Sequence, residues 1–205
     1  MEQTLHKKPK FRKKVEYIID FAEKNKTLNE LKIFALDLRI RRPMIKYVSK
    51  NLNGNLIGAE IGTFNGENAR NMLLHLSIKH IYLIDPYLHY DEFHHRSGKT
   101  IPHAFDIAQK RLSKFNERLT FVKKMSADAV NDVPDELDFV YIDGNHAYKY
   151  VMQDIELYYP KVKIGGVIGG HDIWGKEVYK AVKDFAKQNN LEVIIKYPDW
   201  WIVKP

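Results

Sequence analysis

From residue 55 onward the chain is a series of short apolar runs, most of them ending in Gly, Asp or Pro, separated by helical segments. The runs are LIGAEIG, HIYLIDPY, LTFVKK, LDFVYIDG and GGVIGGHD. Continuous apolar stretches of that length, without polar alternation, are the pattern of strands buried on both faces of a parallel sheet. The segments between them, 66–77, 103–116, 147–159 and 175–189, read as helices, which predicts an α/β fold with a parallel sheet. At the C-terminus the rule changes. LEVIIKY and WWIVK are separated only by Pro198-Asp199, too short for a helical crossover, so these two strands pair as an antiparallel hairpin at the end of the sheet.

Ahead of the sheet, Val15, Ile18, Ile19 and Ala22 form one apolar stripe in a helix over 11–25, and a second helical pattern runs from Leu28 to about Leu38. Pro43 resets the chain, and MIKYVSKNL resumes as a short helix. Residues 1–50 thus read as an N-terminal helical cap belonging to the same domain as 51–205. A length of 205 residues suits one domain. The chain has no cysteine, which excludes a disulfide scaffold, a thiolate zinc site, an iron–sulfur cluster and a cysteine nucleophile. No stretch approaches the ~20 apolar residues of a membrane span, and MEQTLHKKPKFRKK lacks the apolar segment of a secretory signal, so a soluble cytoplasmic protein is expected.

The formal charge of +7 is unevenly spread. Residues 1–50 hold 14 Lys/Arg against 6 Asp/Glu, or +8, and the remainder hold 19 against 20, or −1. The aromatics of the basic segment fall mostly at helix-core spacing, unlike a single-strand stacking platform. We read it chiefly as the solvated face of helices, with recruitment of nucleic acid as the less favoured partner.

Candidate functional residues gather where the apolar runs end, the edge at which open α/β sheets bind ligands. In GAEIGTFNGENARNML, the first run ends at Glu60-Ile61-Gly62 and Gly66 opens a helix. The spacing E-x-G-x-x-x-G is neither the dinucleotide fingerprint nor a P-loop. It suits a ligand without a pyrophosphate but with an ammonium that Glu60 attracts. Asp85, at the end of the second run, is placed to accept hydrogen bonds from both hydroxyls of a ribose. Ser126-Ala127-Asp128 follows the third. Asp143 and His146 lie in DGNH after the fourth run, and His171 and Asp172 in GGHD after the fifth. Two Asp and two His converging there offer oxygen and imidazole ligands to Mg²⁺ or Mn²⁺. With an ordinary pKa of ~6.5, His146 also suits a general base. The irregular stretch at 87–102 reads as a lid or a disordered loop. His89, His94, His95 and His103 are expected to be mostly solvent-exposed.

This ordered set of motifs, over about residues 55–205, resembles the class I S-adenosylmethionine-dependent methyltransferases. The likeness is nearest to the branch with D-G-x-H after the fourth strand and a His/Asp-Asp pair after the fifth, such as macrocin O-methyltransferase and cephalosporin-hydroxylase-like proteins. The resemblance implies a Rossmann-like seven-stranded sheet ordered 3-2-1-4-5-7-6 with strand 7 antiparallel, which the terminal hairpin fits, and a methyltransferase domain at 51–205. It implies that Glu60, Gly62, Thr63 and Gly66 surround the methionine part of the cofactor. Asp85 would hold the ribose, Ser126 and Ala127 would lie by the adenine, and Asp143 would sit beside the sulfonium. Metal-dependent relatives use an aspartate at the position of Asp143 and an acidic pair at those of His171 and Asp172; here the first of the pair is a histidine.

The implied chemistry is O-methylation of a small-molecule hydroxyl, with His146, His171 and Asp143 as the catalytic candidates and Asp143, His171 and Asp172 as the metal candidates. The rivals are an RNA or protein methyltransferase recruited by the basic segment, and a protein that binds the cofactor without turnover. The N-terminal helices leave a homodimer open.

Overall fold

The structure is a computed structural model and describes residues 42–88 and 101–205. The helices expected at 11–25 and 28–38, and His89, His94 and His95, lie outside the described residues. Helix α1 (Pro43–Asn51) leads into β1 (Leu56–Ile61), α2 (Glu67–His75), β2 (Ile78–Ile84) and α3 (Ile101–Leu112). A 3-10 segment, Ser113–Arg118, joins α3 to β3 (Leu119–Val122). Next come the single turn α4 (Ser126–Ala129), β4 (Leu137–Ile142), α5 (Tyr148–Tyr158), β5 (Val162–Gly170) and α6 (Lys176–Gln188), and β6 (Ile194–Lys196) and β7 (Asp199–Val203) close the sheet.

The seven strands are ordered β3-β2-β1-β4-β5-β7-β6, as expected. β1 to β5 pair in parallel, and β7 runs antiparallel to both β5 and β6. The first strand of the terminal hairpin is shorter than its apolar run: only Ile194–Lys196 pairs, against Asp199–Trp201.

The central strands are largely apolar because helices cover both faces of the sheet. Alternate residues of one strand enter different cores: Val140 and Ile142 pack with α5 and α6, whereas Phe139 and Tyr141 pack with α1 and α2. Trp200 and Trp201, both 1% exposed, divide in the same way. Each such side chain contributes roughly 1.5–3 kcal/mol through burial. On α6, Val178, Ala181, Val182 and Phe185 carry the i, i+3, i+4, i+7 stripe to the sheet. Among the described residues, no helix is long and apolar enough to cross a membrane.

Because β1, β4 and β5 are adjacent and parallel, their carboxyl ends lie side by side. Helix α1 runs into β1 from the opposite direction, so its N-terminus stands at that same edge. So does the start of β7, where Trp200 pairs with Gly170.

Candidate active site

The turn after β1 is built around close approach. Gly62 has φ +86°, and a Cβ there would lie 2.3 Å from the carbonyl oxygen of Asp143, so only glycine lets the end of β1 pass the end of β4. Phe64 is left-handed at φ 47°. Its amide donates to Asp85 Oδ2 at 2.8 Å, while Oδ1 of the same carboxylate accepts from the amide of Tyr87, itself at φ 51°. Asp85 thus pins the glycine turn to the end of β2. The glycine at the start of α2, Gly66, has φ +73°.

Glu60 is 1% exposed. Its Oε1 accepts from Asn68 Nδ2 at 2.9 Å, but Oε2 is buried without a partner, as are Thr63 Oγ1 and Asn145 Nδ2. Burial pushes the Glu60 carboxyl up to about 8, against the opposing pull of the Asn68 amide. An unsatisfied buried polar atom costs about 1–3 kcal/mol. Two such atoms, Glu60 Oε2 and Thr63 Oγ1, lie at the tip of β1, a fit for a donor-bearing ligand such as an amino-acid ammonium.

Beyond β3, Ser126 and Ala127 form the first turn of α4. The Ser126 hydroxyl donates to the buried Asp154 of α5, and its carbonyl accepts from Tyr158 at 2.8 Å. Burial raises the Asp154 carboxyl to about 7, with the Ser126 hydroxyl pulling the other way.

The tips of β4 and β5 bring Asp143, His146, His171 and Asp172 together. His146 Nε2 lies 2.9 Å from Asp172 Oδ2 and 3.8 Å from Asp143 Oδ1. His171 Nδ1 lies 3.0 Å from Asp172 Oδ1 and 4.0 Å from Asp143 Oδ1. Asp172 sits at φ 57°, a conformation uncommon outside glycine and one that turns its carboxylate between the two imidazoles. A cleft beside them is lined by Ile142, Asp143, His146, His171, Val178 and Trp200. Three ligand atoms, one each from Asp143, His146 and Asp172, lie within 4.8 Å of one another, a spacing that a single metal ion can bridge. His171 was the expected imidazole of that set, and in this geometry His146 joins the two carboxylates more tightly. His103, on α3, is exposed.

Electrostatically the cluster is self-neutralising. Burial opposes ionisation of Asp143, but Arg42 and the imidazoles outweigh it and hold the carboxyl below its ordinary value. Asp172 is held well below the usual carboxylate range, its burial outweighed by hydrogen bonds from His146 and His171. Burial would discharge His146, yet the two carboxylates raise it to about 9, so at neutral pH it rests as an imidazolium.

Sequence reasoning missed Arg42, counting it only within the basic N-terminal segment. Its Nη1 donates to Asp143 Oδ2 at 3.0 Å and to the Tyr141 hydroxyl at 2.9 Å. Tyr141 donates in turn to Asp199 Oδ1 at 3.0 Å, and Asp199 Oδ2 accepts the Met44 amide in the first turn of α1. One signal was available: a residue just before a proline-initiated helix that leads into β1 must stand at the ligand edge of the sheet.

Residues 59–173, more than half of the chain, match the family described as "Methyltransferase domain". The chain belongs to this family. This methyltransferase is similar, at 30% identity over 140 residues, to an uncharacterized protein, R132, of Acanthamoeba polyphaga mimivirus; the match spans 62% of this chain and 58% of that relative. Its fold is shared with CalS11, a TDP-rhamnose 3'-O-methyltransferase of calicheamicin biosynthesis, with TM-score 0.63 and 11% identity over 97% of this chain and 96% of the other. The O-methyltransferase NovP aligns with TM-score 0.60 and 15% identity over 78% of each chain. The family match and the shared sheet order agree: the chain carries a methyltransferase domain of Rossmann-like fold.

Proposed function

We propose that this methyltransferase transfers its methyl group to the hydroxyl of a small molecule, with the acid–imidazole cluster at the tips of β4 and β5 as the reaction centre. The observation that carries the reading is the convergence of Asp143, His146, His171 and Asp172 beside the glycine turn. When bound, S-adenosylmethionine would supply an electrophilic methyl carbon: an O–C bond forms as the C–S bond breaks, and the sulfur leaves as a neutral thioether.

The chain's residues divide the work. Glu60, with Thr63 and the turn Gly62–Gly66, holds the methionine end through the buried atoms that otherwise lack partners. Asp85 takes the ribose while fixing the turn, since an ionised carboxylate accepts about four hydrogen bonds. Ser126 and Ala127 border the adenine, with the Ser126 hydroxyl anchored on Asp154.

A hydroxyl is a weak nucleophile, so its proton must be taken as oxygen meets carbon. His146 is the acceptor, at the ring nitrogen that does not face Asp172; its Nε2 lies 2.9 Å from that carboxylate, which orients the ring. The carboxylates that orient it also keep a proton on it at neutral pH, so its basic form is favoured on the alkaline side. A divalent cation fits the same donor set: Asp143 and Asp172 would hold it with the imidazole of His146, and it would acidify the acceptor hydroxyl. Much of the remaining rate comes from holding oxygen, carbon and sulfur in line.

The test pairs binding with turnover. Titration calorimetry with S-adenosylhomocysteine, with and without Mg²⁺ or Mn²⁺, is run beside methyl transfer to a panel of catechols and sugar hydroxyls. Product formation that is lost in His146→Ala while binding persists supports the reading. Turnover confined to RNA or protein targets overturns the choice of acceptor, and binding without any turnover overturns the enzymatic role of the cluster.

A further inference from the structure

Arg42 brings a permanent cation into a centre that otherwise balances carboxylates against imidazoles. Its guanidinium is fixed from three sides. Nη1 bridges Asp143 Oδ2 and the Tyr141 hydroxyl, and the guanidinium carbon stands 5.5 Å from the Tyr141 ring centroid. Behind it, Tyr141 is fully buried and its hydroxyl is committed to Asp199, which also holds the Met44 amide. Pro43 restricts the backbone that carries the arginine. Little conformational entropy is left to lose when Arg42 engages Asp143, so the pair is preorganised.

Asp143 therefore presents its two oxygens unequally. Oδ2 belongs to Arg42, and Oδ1 faces His146 at 3.8 Å and His171 at 4.0 Å. We propose that Arg42 is the resident counter-cation of Asp143 and a positioning residue for the centre: it limits Asp143 to one oxygen for a divalent cation and holds the affinity of the site for that cation low. The inference rests on the metal-assisted reading above. The physical reason is competition. A guanidinium and a metal ion drawn to one carboxylate each weaken the other's gain, and a half-buried carboxylate stripped of its arginine must find another cation. Lysine is no equal substitute, because its ammonium sits on a flexible stem and lacks the flat face that stands over the Tyr141 ring.

The experiment is a titration of Mn²⁺ into the full chain, with free ion followed by electron paramagnetic resonance, for wild type, Arg42→Met, Arg42→Lys and Tyr141→Phe. Thermal unfolding and S-adenosylhomocysteine binding verify that each variant is folded. The expected result is that Arg42→Met binds Mn²⁺ tighter by about tenfold or more, a change of about 1.4 kcal/mol. Tyr141→Phe, which keeps the charge and removes one anchor, is expected to fall between Arg42→Met and wild type. Adding Asp172→Asn to Arg42→Met is expected to cancel the gain.

Equal affinity in wild type and Arg42→Met overturns the proposal and leaves the metal reading standing. Weaker binding in Arg42→Met overturns it too, and makes Arg42 a support of the metal site. Binding by Arg42→Met alone upholds the competition and removes the metal from the native reaction. No binding in any variant overturns both. If Arg42→Met fails to fold, Tyr141→Phe decides: affinity unchanged from wild type overturns the proposal.

Discussion

At the tip of β1, the binding side of the site is held by backbone. Asp85 grips the amides of Phe64 and Tyr87, Gly62 passes the Asp143 carbonyl without a side chain, and Glu60 keeps one buried oxygen unmatched. At the tips of β4 and β5, a few ångströms across the same sheet edge, four charged or titratable side chains hold one another and Arg42 completes the balance. The first region is shaped in advance with unmet hydrogen-bonding capacity; the second is held together by charge pairing. A region with unmet polar atoms gains by taking up a ligand, because the cost of those atoms is already present in the folded state. A charge-paired cluster must exchange one partner for another, which suits groups that move a proton or release a cation. Binding and chemistry are thereby separable by mutation.

The largest break in that separation is expected from His146→Ala. Methyl-transfer rate falls by about 10²–10⁴-fold, while S-adenosylhomocysteine affinity in calorimetry stays within about twofold of wild type. An equal loss in both readouts would show that His146 belongs to the binding side.

Asp85→Ala attacks the other side. Affinity for S-adenosylhomocysteine is expected to drop by about 10–100-fold, corresponding to roughly 1.4–2.8 kcal/mol, because the ribose acceptor and the clip on two left-handed residues are lost together. Asp85→Asn, with one acceptor oxygen left, should lose less. Unchanged affinity in the alanine variant would remove Asp85 from the ribose site.

Gly62→Ala tests the close approach of the two regions. A Cβ 2.3 Å from a backbone oxygen, at positive φ, forces β1 and β4 apart. Destabilisation of about 1–3 kcal/mol is expected in urea unfolding, with Gly54→Ala, also at positive φ but with no atom near its would-be Cβ, as the milder comparison.

The smallest effect concerns pH. Asp154 and Glu60 have carboxyls raised by burial to about 7 and about 8. An acid that is harder to ionise in the folded state costs no stability below its unfolded value near 4, and costs progressively more as pH climbs to the folded value. Apo-protein stability should therefore fall between pH 4 and pH 8 through these two groups. Asp154→Asn should raise Tm at pH 8 by roughly 2–4 °C and leave it nearly unchanged at pH 4, as read by differential scanning calorimetry. A gain of equal size at both pH values would exclude ionisation as the cause.

The topology was legible because the strand runs are largely apolar and most end in Gly, Asp or Pro; the short spacing around Pro198-Asp199 placed the hairpin, although Asp199 itself opens β7 and the link is Tyr197-Pro198. His146 and Asp172 were legible for the same reason, since parallel neighbours set their tips side by side. Arg42, Tyr141 and Asp199 were not. Tyr141 reads as one more apolar strand residue, and Arg42 hides among fourteen basic residues in the first fifty. Nothing local marks a pairing made across 101 residues. Asp154 was hidden similarly: on a helix whose other buried positions are apolar, one aspartate looks solvent-facing until Ser126 is seen beneath it.

The clasp from Asp199 to the Met44 amide joins residues 155 apart in sequence, and Tyr141 to Arg42 spans 99. Contacts of such separation close long loops, so they form only after the nearer strand pairs have removed most of the intervening freedom. The reaction centre is in this sense a product of late folding. Removing the Tyr141 hydroxyl should then leave the rate of folding almost untouched and hasten unfolding, and the two arms of a chevron plot would separate these rates.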